Sequence, residues 1–189
     1  PARLTMPKDE EEARLFAQAQ LITAKPVLYV CNVNEEDAAA GNAESARVFA
    51  KASAEGANAV IVSAAIESEL AAMEMDERIA FLEEMGLHET GLTRVISSGY
   101  DLLHLITFFT VGPKEARAWT VETGSRAPEA AGAIHSDFER GFIRSETIAY
   151  DDYIALNGEA GARDAGKLRQ EGKDYVVKDG DVLHFKFNV

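Results

Sequence analysis

The chain is short of several things, and each shortage excludes a class of protein. One cysteine, Cys31, in 189 residues rules out an internal disulfide and fits a reducing compartment, so the expected location is the cytoplasm. No apolar run approaches the ~20 residues that a bilayer-spanning helix needs, so no membrane partner is expected. The opening Pro1-Ala2-Arg3 leads into an acidic stretch, unlike a signal peptide. A start at Pro without Met reads as a start inside a longer protein. Basic residues are scarce, 19 Lys and Arg against 32 Asp and Glu for a net charge of −13, which argues against a broad nucleic-acid surface. The deficit is uneven: residues 1–103 hold 8 basic and 18 acidic side chains, and residues 104–189 hold 11 and 14. If either half touches RNA, it is the second.

What is present is ordinary globular sequence, 47% hydrophobic and 27% charged. The first half alternates helix and strand. Pro7 suits a first helical turn, Asp9 to Glu12 place negative charge at the positive end of the helix dipole, and Phe16, Ala17 and Leu21 give an apolar stripe. Val27 to Cys31 is a short apolar run without alternation, the pattern of a parallel strand covered on both faces. A helix from about Asn42 to Glu55 stops at Gly56, and a second buried strand, Ala59 to Val62, ends at Ser63. A parallel pair with a right-handed crossover is the default for such a unit. Two helices follow. Asp76 is the expected cap of one, with Met75, Ile79 and Leu82 on its face and Gly86 at its end. The other starts near Thr90 and carries Leu92, Val95, Ile96, Gly99 and Leu103 on one side.

Near residue 104 the pattern changes. Leu105 to Val111, the turn Gly112-Pro113-Lys114, and Glu115 to Glu122 read as two strands. Tyr175-Val176-Val177, the turn Lys178 to Asp181, and the alternating Leu183, Phe185, Phe187 and Val189 read as a terminal hairpin, with His184, Lys186 and Asn188 on its polar face. Two hairpins with short helical pieces between them describe a small α+β domain of the β-grasp kind.

The strongest local feature is Asn32-Val33-Asn34-Glu35, directly after a buried strand. Ligands of open parallel sheets bind just beyond the carboxyl ends of the strands, and Ser63-Ala64-Ala65 should lie at the same edge. An Asn at a strand end also serves simply as a turn residue.

The wider sequence resembles a known family. Lys25-Pro26-Val27-Leu28-Tyr29-Val30-Cys31-Asn32-Val33-Asn34-Glu35 looks like the fourth motif of a P-loop nucleotidase, in the Asn-x-x-Glu variant of the YchF or Obg-like ATPase family, where most P-loop relatives have Asn-Lys-x-Asp. Gly112 to Thr120, Ala131 to Arg144 and Glu171 to Asp181 are similar to that family's C-terminal TGS domain. The resemblance implies an α/β fold: the C-terminal portion of a nucleotidase parallel sheet with linking helices over 1–103, then a β-grasp, ubiquitin-like TGS domain over 104–189. It implies a natural protein about twice this length, an ATP- or GTP-binding hydrolase with Mg²⁺, and ribosome or RNA contact through the TGS domain. The base-binding residues it implies are Asn32, Val33 and Glu35, with Ser63 and Ala64 from the fifth motif.

The chemistry supports that role independently. An Asp in the commoner motif accepts hydrogens from guanine N1 and N2, which adenine lacks. An Asn amide brackets adenine by accepting from N6 and donating to N7. Val33 in place of Lys removes a cation, and Glu35 is one methylene longer than Asp, which displaces a carboxylate placed for guanine. Adenine is therefore expected to be favoured and guanine tolerated. No Gly-x-x-x-x-Gly-Lys-[Ser/Thr] run occurs anywhere in the chain, so the amide cradle and lysine on which phosphoryl transfer depends are not here. No catalytic residue and no metal ligand is expected in this chain, and it should not hydrolyse nucleotide alone.

Other chemistry-bearing side chains have plainer readings. Cys31, in an apolar run without a cationic neighbour in sequence, reads as a small buried hydrophobe. His88 and His104 lie at helix ends. His135-x-Asp137 invites a metal or acid/base idea, but without a third ligand it reads as a turn. Tyr150-Asp151-Asp152-Tyr153 reads as a helix start with capping carboxylates. Trp119 is either core or an exposed platform. Arg163, Lys167, Arg169 and Lys173 form the one local excess of positive charge, either a solvated face or an RNA contact. The expectation is thus a nucleotide-dependent hydrolase in its whole form, with a stand-alone RNA-, ribosome- or protein-binding β-grasp module as the alternative.

Overall fold

The computed structural model describes residues 2–5 and 7–188, and the chain divides into two compact units, Pro1–Leu103 and His104–Val189. The first unit runs α1 (Glu10–Gln18), β1 (Leu28–Asn32), α2 (Ala43–Ala54), β2 (Asn58–Val62), α3 (Ala64–Ala72), α4 (Met75–Glu84) and α5 (Gly91–Leu102). Asp9 caps α1, its carboxylate accepting from the N–H groups of Glu11 and Glu12. Pro7 therefore lies ahead of the helix and outside its first turn. Leu21 lies beyond the helix end, because Gln20 adopts a left-handed φ of 47° that no α-helix continues through.

β1 and β2 pair in parallel, Leu28 opposite Asn58 through Asn32 opposite Val62. Cys31 and Val60 are buried, but Val30 is 52% exposed. Val60 is the register partner of Val30 and lies on the same face, so the expected cover is present over β2 and incomplete over β1. Asn42 and Ser45 form a reciprocal capping box at the start of α2. α3 was not legible as a helix. It buries Ile66 and Leu70, one turn apart, with Ala38 and Leu87. Glu74 is the N-cap position of α4, and Asp76 sits inside its first turn. This corrects the expected cap by two positions: the helix starts after Glu74, whose N–H donates to Glu77 Oε2 at 3.2 Å. Of the stripe expected on α5, Leu92, Ile96 and Leu103 are exposed.

The second unit runs β3 (Leu105–Val111), β4 (Ala116–Glu122), α6 (Ala127–Ile134), α7 (Ser136–Arg140), β5 (Phe142–Ala149), α8 (Tyr150–Ala155), α9 (Glu159–Asp164), β6 (Arg169–Glu171) and β7 (Asp181–Phe187). Its sheet has the order β4-β3-β7-β5-β6. β3 and β4 form the expected antiparallel hairpin, closed by a hydrogen bond from Gly112 N–H to the Glu115 carbonyl. Ala127, Ala130 and Ala131 of α6 are fully buried and let that helix lie close against Phe108, Phe142, Leu183 and Phe185.

The expected terminal hairpin does not form. β7 is the central strand, parallel to β3 at Phe109–Val182 and antiparallel to β5. Val176 instead bridges Arg126, and Val177 N–H donates to the Ser125 carbonyl. The reason is the Lys178–Asp181 turn, which docks on β3: Gly180 N–H donates to the Thr107 carbonyl, and Asp179 accepts from Thr107 N–H. That turn delivers β7 into the middle of the sheet. Val189 lies outside the described residues.

Candidate functional site

The end of β1 and the end of β2 meet at one edge. Val33 N–H donates to the Val62 carbonyl at 2.9 Å, extending the strand pairing by one bond. Asn32 then reaches across, its Oδ1 accepting from Ala64 N–H at 3.0 Å. Because a backbone N–H only donates, this bond fixes which way the Asn32 amide faces. The carbonyl oxygen is turned to Ala64, and the amide nitrogen is the group left to the outside. The expected use of both amide atoms on adenine is narrowed accordingly, since the oxygen already serves a backbone donor.

The loop after β1 is held at both ends. Asn34 leads into a 3₁₀ turn, Glu35–Asp37. Ala38 is buried beneath α3 with Ile66 and Leu70, and Asp37 accepts from the Asn42 amide at 2.9 Å. Gly41 adopts φ +75°, where a Cβ would stand 2.6 Å from Ser45 Oγ and 2.7 Å from Ile61 Cδ1, so glycine is required there. The result is an open hollow of about 420 Å³ lined by Asn32, Val33, Asn34, Glu35, Glu36 and Ala65, within the usual range for small-molecule sites. Two carboxylates on its rim and no Lys or Arg in its lining suit the donor-rich edge of a base and repel a phosphate.

Of the five residues singled out by sequence, Asn32, Val33 and Glu35 line this hollow. Ala64 is bonded to Asn32. Ser63 is buried, and its hydroxyl has no hydrogen-bond partner among the described residues. It precedes α3 without a side-chain capping bond. Glu36 is the lining residue that sequence reasoning passed over; Ala65, expected at this edge with Ser63 and Ala64, lines the hollow from the first turn of α3.

The remaining candidates resolve one by one. Cys31 is buried. His135 caps α7, its Nδ1 accepting from Asp137 N–H, which is the turn role. Arg140 hydrogen-bonds the Asp137 carboxylate and, as the main cause, lowers its pKa. Trp119 is half-buried: its Nε1–H donates to Thr110 Oγ1 at 2.9 Å, and the Arg117 guanidinium lies 4.1 Å from its ring centre. Tyr150 opens α8 with Asp151 and Asp152 in the first turn. Arg163, Lys167 and Arg169 are paired with Glu159, Asp152 and Glu171. Among the described residues no group of three or more His, Cys, Asp or Glu is placed to hold a metal, and no helix is long and apolar enough to cross a membrane.

Comparison with known proteins gives a consistent result. The family model YchF-GTPase_C, described as a protein of unknown function (DUF933), matches residues 105–188. The chain is 54% identical over 182 residues to the "Ribosome-binding ATPase YchF" of Bacillus subtilis, covering 95% of this chain and 50% of that protein. It is 54% identical over 181 residues to the protein of the same name from Haemophilus influenzae, covering 96% and 50%. The chain thus spans about half the length of the curated relatives it matches. The solved "Structure of the Schizosaccharomyces pombe YchF GTPase" superposes with a TM-score of 0.80 at 33% identity, over 95% of this chain and 48% of that one. A Pyrococcus horikoshii GTP-binding protein shares the fold at a TM-score of 0.61 and 21% identity. With half or more of its residues identical to those two curated relatives along nearly its whole length, and the same fold as the solved yeast structure, this chain belongs to the YchF family.

Proposed function

We propose that this chain is the base-reading and TGS-containing part of a ribosome-associated nucleotidase that binds ATP, tolerates GTP and hydrolyses nucleotide only as the whole protein. The observation that carries the reading is the Asn32–Ala64 hydrogen bond, which joins two strand ends and leaves one amide donor on a hollow of purine-compatible size. Asn32 donates to the purine N7. Val33 supplies an apolar wall and a backbone group. Glu35 stands where an Asp would select guanine. Ser63 and Ala64 shape the opposite side, Ala64 through its bond to Asn32.

Because N7 is common to adenine and guanine, Asn32 reads purine, and the choice between the two rests on Val33 and Glu35. Bound nucleotide would bring the reacting phosphates, and Mg²⁺ would neutralise their charge. The residues here fit the base end only, so the phosphate loop and metal ligands belong elsewhere in the longer protein. Converting Val33→Lys with Glu35→Asp in the full-length protein should move the preference from ATP toward GTP in calorimetric titration. An unchanged preference would refute the assignment of these two residues.

The names of the relatives support ribosome association, and the exposed cations of residues 163–173 in the TGS unit are the proposed contact, despite the carboxylate partners of three of them. Co-sedimentation with ribosomes should weaken steeply with salt if phosphates are bound. A salt-insensitive signal would favour the protein-binding alternative.

A further inference from the structure

Glu67 lies one turn into α3, half-buried, and its carboxylate leaves its own helix. Oε1 accepts from Gly91 N–H at 2.6 Å and Oε2 from Leu92 N–H at 3.3 Å, so both oxygens cap the first two amides of α5. Thr90 serves the third, Thr93 N–H. A carboxylate at the positive end of a helix forms charge-assisted bonds, the stronger class of hydrogen bond. Gly91 is buried against β2 and α3: a Cβ there would meet Val62 Cγ1 at 2.9 Å and Glu67 Oε1 at 3.0 Å. Glu67 N–H in turn closes the first hydrogen bond of α3, to the Ser63 carbonyl.

The base-reading edge depends on where α3 begins. Ser63 does not cap that helix with its side chain, and the bond that orients Asn32 comes from Ala64, the first residue of α3. Ile66 and Leu70 hold α3 by apolar packing, and Glu67 ties this turn to the start of α5 by hydrogen bonds. We propose that Glu67 is a positioning residue for nucleotide recognition: by fastening α3 to the start of α5 it holds Ala64 N–H against Asn32 Oδ1, and so keeps the Asn32 amide nitrogen presented to the purine N7. The inference rests on the base-site reading proposed above.

The test compares ATP with tubercidin triphosphate, in which N7 is replaced by C–H, using full-length protein and calorimetric titration. Unaltered protein should prefer ATP by roughly fivefold, the size of one net hydrogen bond. Glu67→Ala should bring the two affinities to within about twofold, and Glu67→Gln, which keeps one acceptor for Gly91 N–H, should fall between. The ratio is read on folded protein, so a loss of stability alone leaves it unmoved. If Glu67→Ala does not fold, Glu67→Gln decides: a reduced ratio supports the proposal. A full preference for ATP in the Glu67 variants overturns it. No preference in the unaltered protein would instead overturn the base-site reading.

Discussion

Asp181 opens β7, the central strand of the second unit's sheet, and is 2% exposed. One of its oxygens, Oδ2, accepts from the Tyr175 hydroxyl at 2.7 Å and from Lys178 N–H at 2.9 Å. The other lies 3.7 Å from the Arg169 guanidinium. Replacing it with alanine leaves a phenol and a backbone amide, both part-buried, without their acceptor, at about 1–3 kcal/mol for each donor left unsatisfied. Arg169 retains Glu171 at 3.0 Å, so no uncompensated charge is created and nothing further is added for it. The expected loss for Asp181→Ala is therefore about 3–5 kcal/mol, a large share of the roughly 5–15 kcal/mol that holds a typical domain folded. Tyr175→Phe removes one donor while Asp181 keeps Lys178, and should cost about 1–1.5 kcal/mol. The double variant should show a coupling of about 1–2 kcal/mol, because the two residues share one hydrogen bond. Urea unfolding followed by fluorescence measures all three, since Trp119 is the single tryptophan and lies in this unit. A loss below about 1 kcal/mol for Asp181→Ala, or additive losses in the double variant, would refute the network.

Three further outcomes follow from the packing and hydrogen bonding of the chain. Burial first, and then its bond to Asp181, push the Tyr175 phenol up from 10.0 to about 12. The folded state thus holds this proton more tightly than the unfolded chain, so its contribution is complete below pH 10 and is lost as pH rises to about 12; Tyr175→Phe should flatten that part of the stability–pH curve. Phe108 is fully buried among Phe185, Leu183 and Ala130, so Phe108→Ala should cost about 3–5 kcal/mol in the same urea assay. Gly41→Ala forces a side chain into the left-handed region and onto Ser45 and Ile61, and should lower stability by about 2–3 kcal/mol in a thermal melt.

Some of this was legible in sequence for definite physical reasons. β1 and β2 are short apolar runs that stop at polar residues, and Asn42 and Thr90 are cap residues placed where helices begin. The edge bearing Asn32 follows from strands that end together. β5 was hidden because its inward residues Ser145 and Thr147 are polar, fully buried and within 3.2 Å of each other's hydroxyls. A register shift between Phe142 and Arg144 further breaks its alternation. Tyr175–Val177 looked like the partner of β7 because both are apolar and flank a turn. The pairing partner was decided by long-range backbone bonds from that turn to Thr107, which no local pattern encodes. At the candidate site, residue types pointed to Asn32, but the direction of its amide needed the position of Ala64.

The central claim, that Asn32 reads the purine, is tested most directly by titrating ATP and GTP against full-length protein carrying Asn32→Ala, with the melting temperature measured alongside. Loss of the amide donor should weaken binding of both nucleotides by an amount on the order of 1–3 kcal/mol, a factor of roughly five to one hundred and fifty. Affinities for both nucleotides equal to those of the unaltered protein would contradict the account.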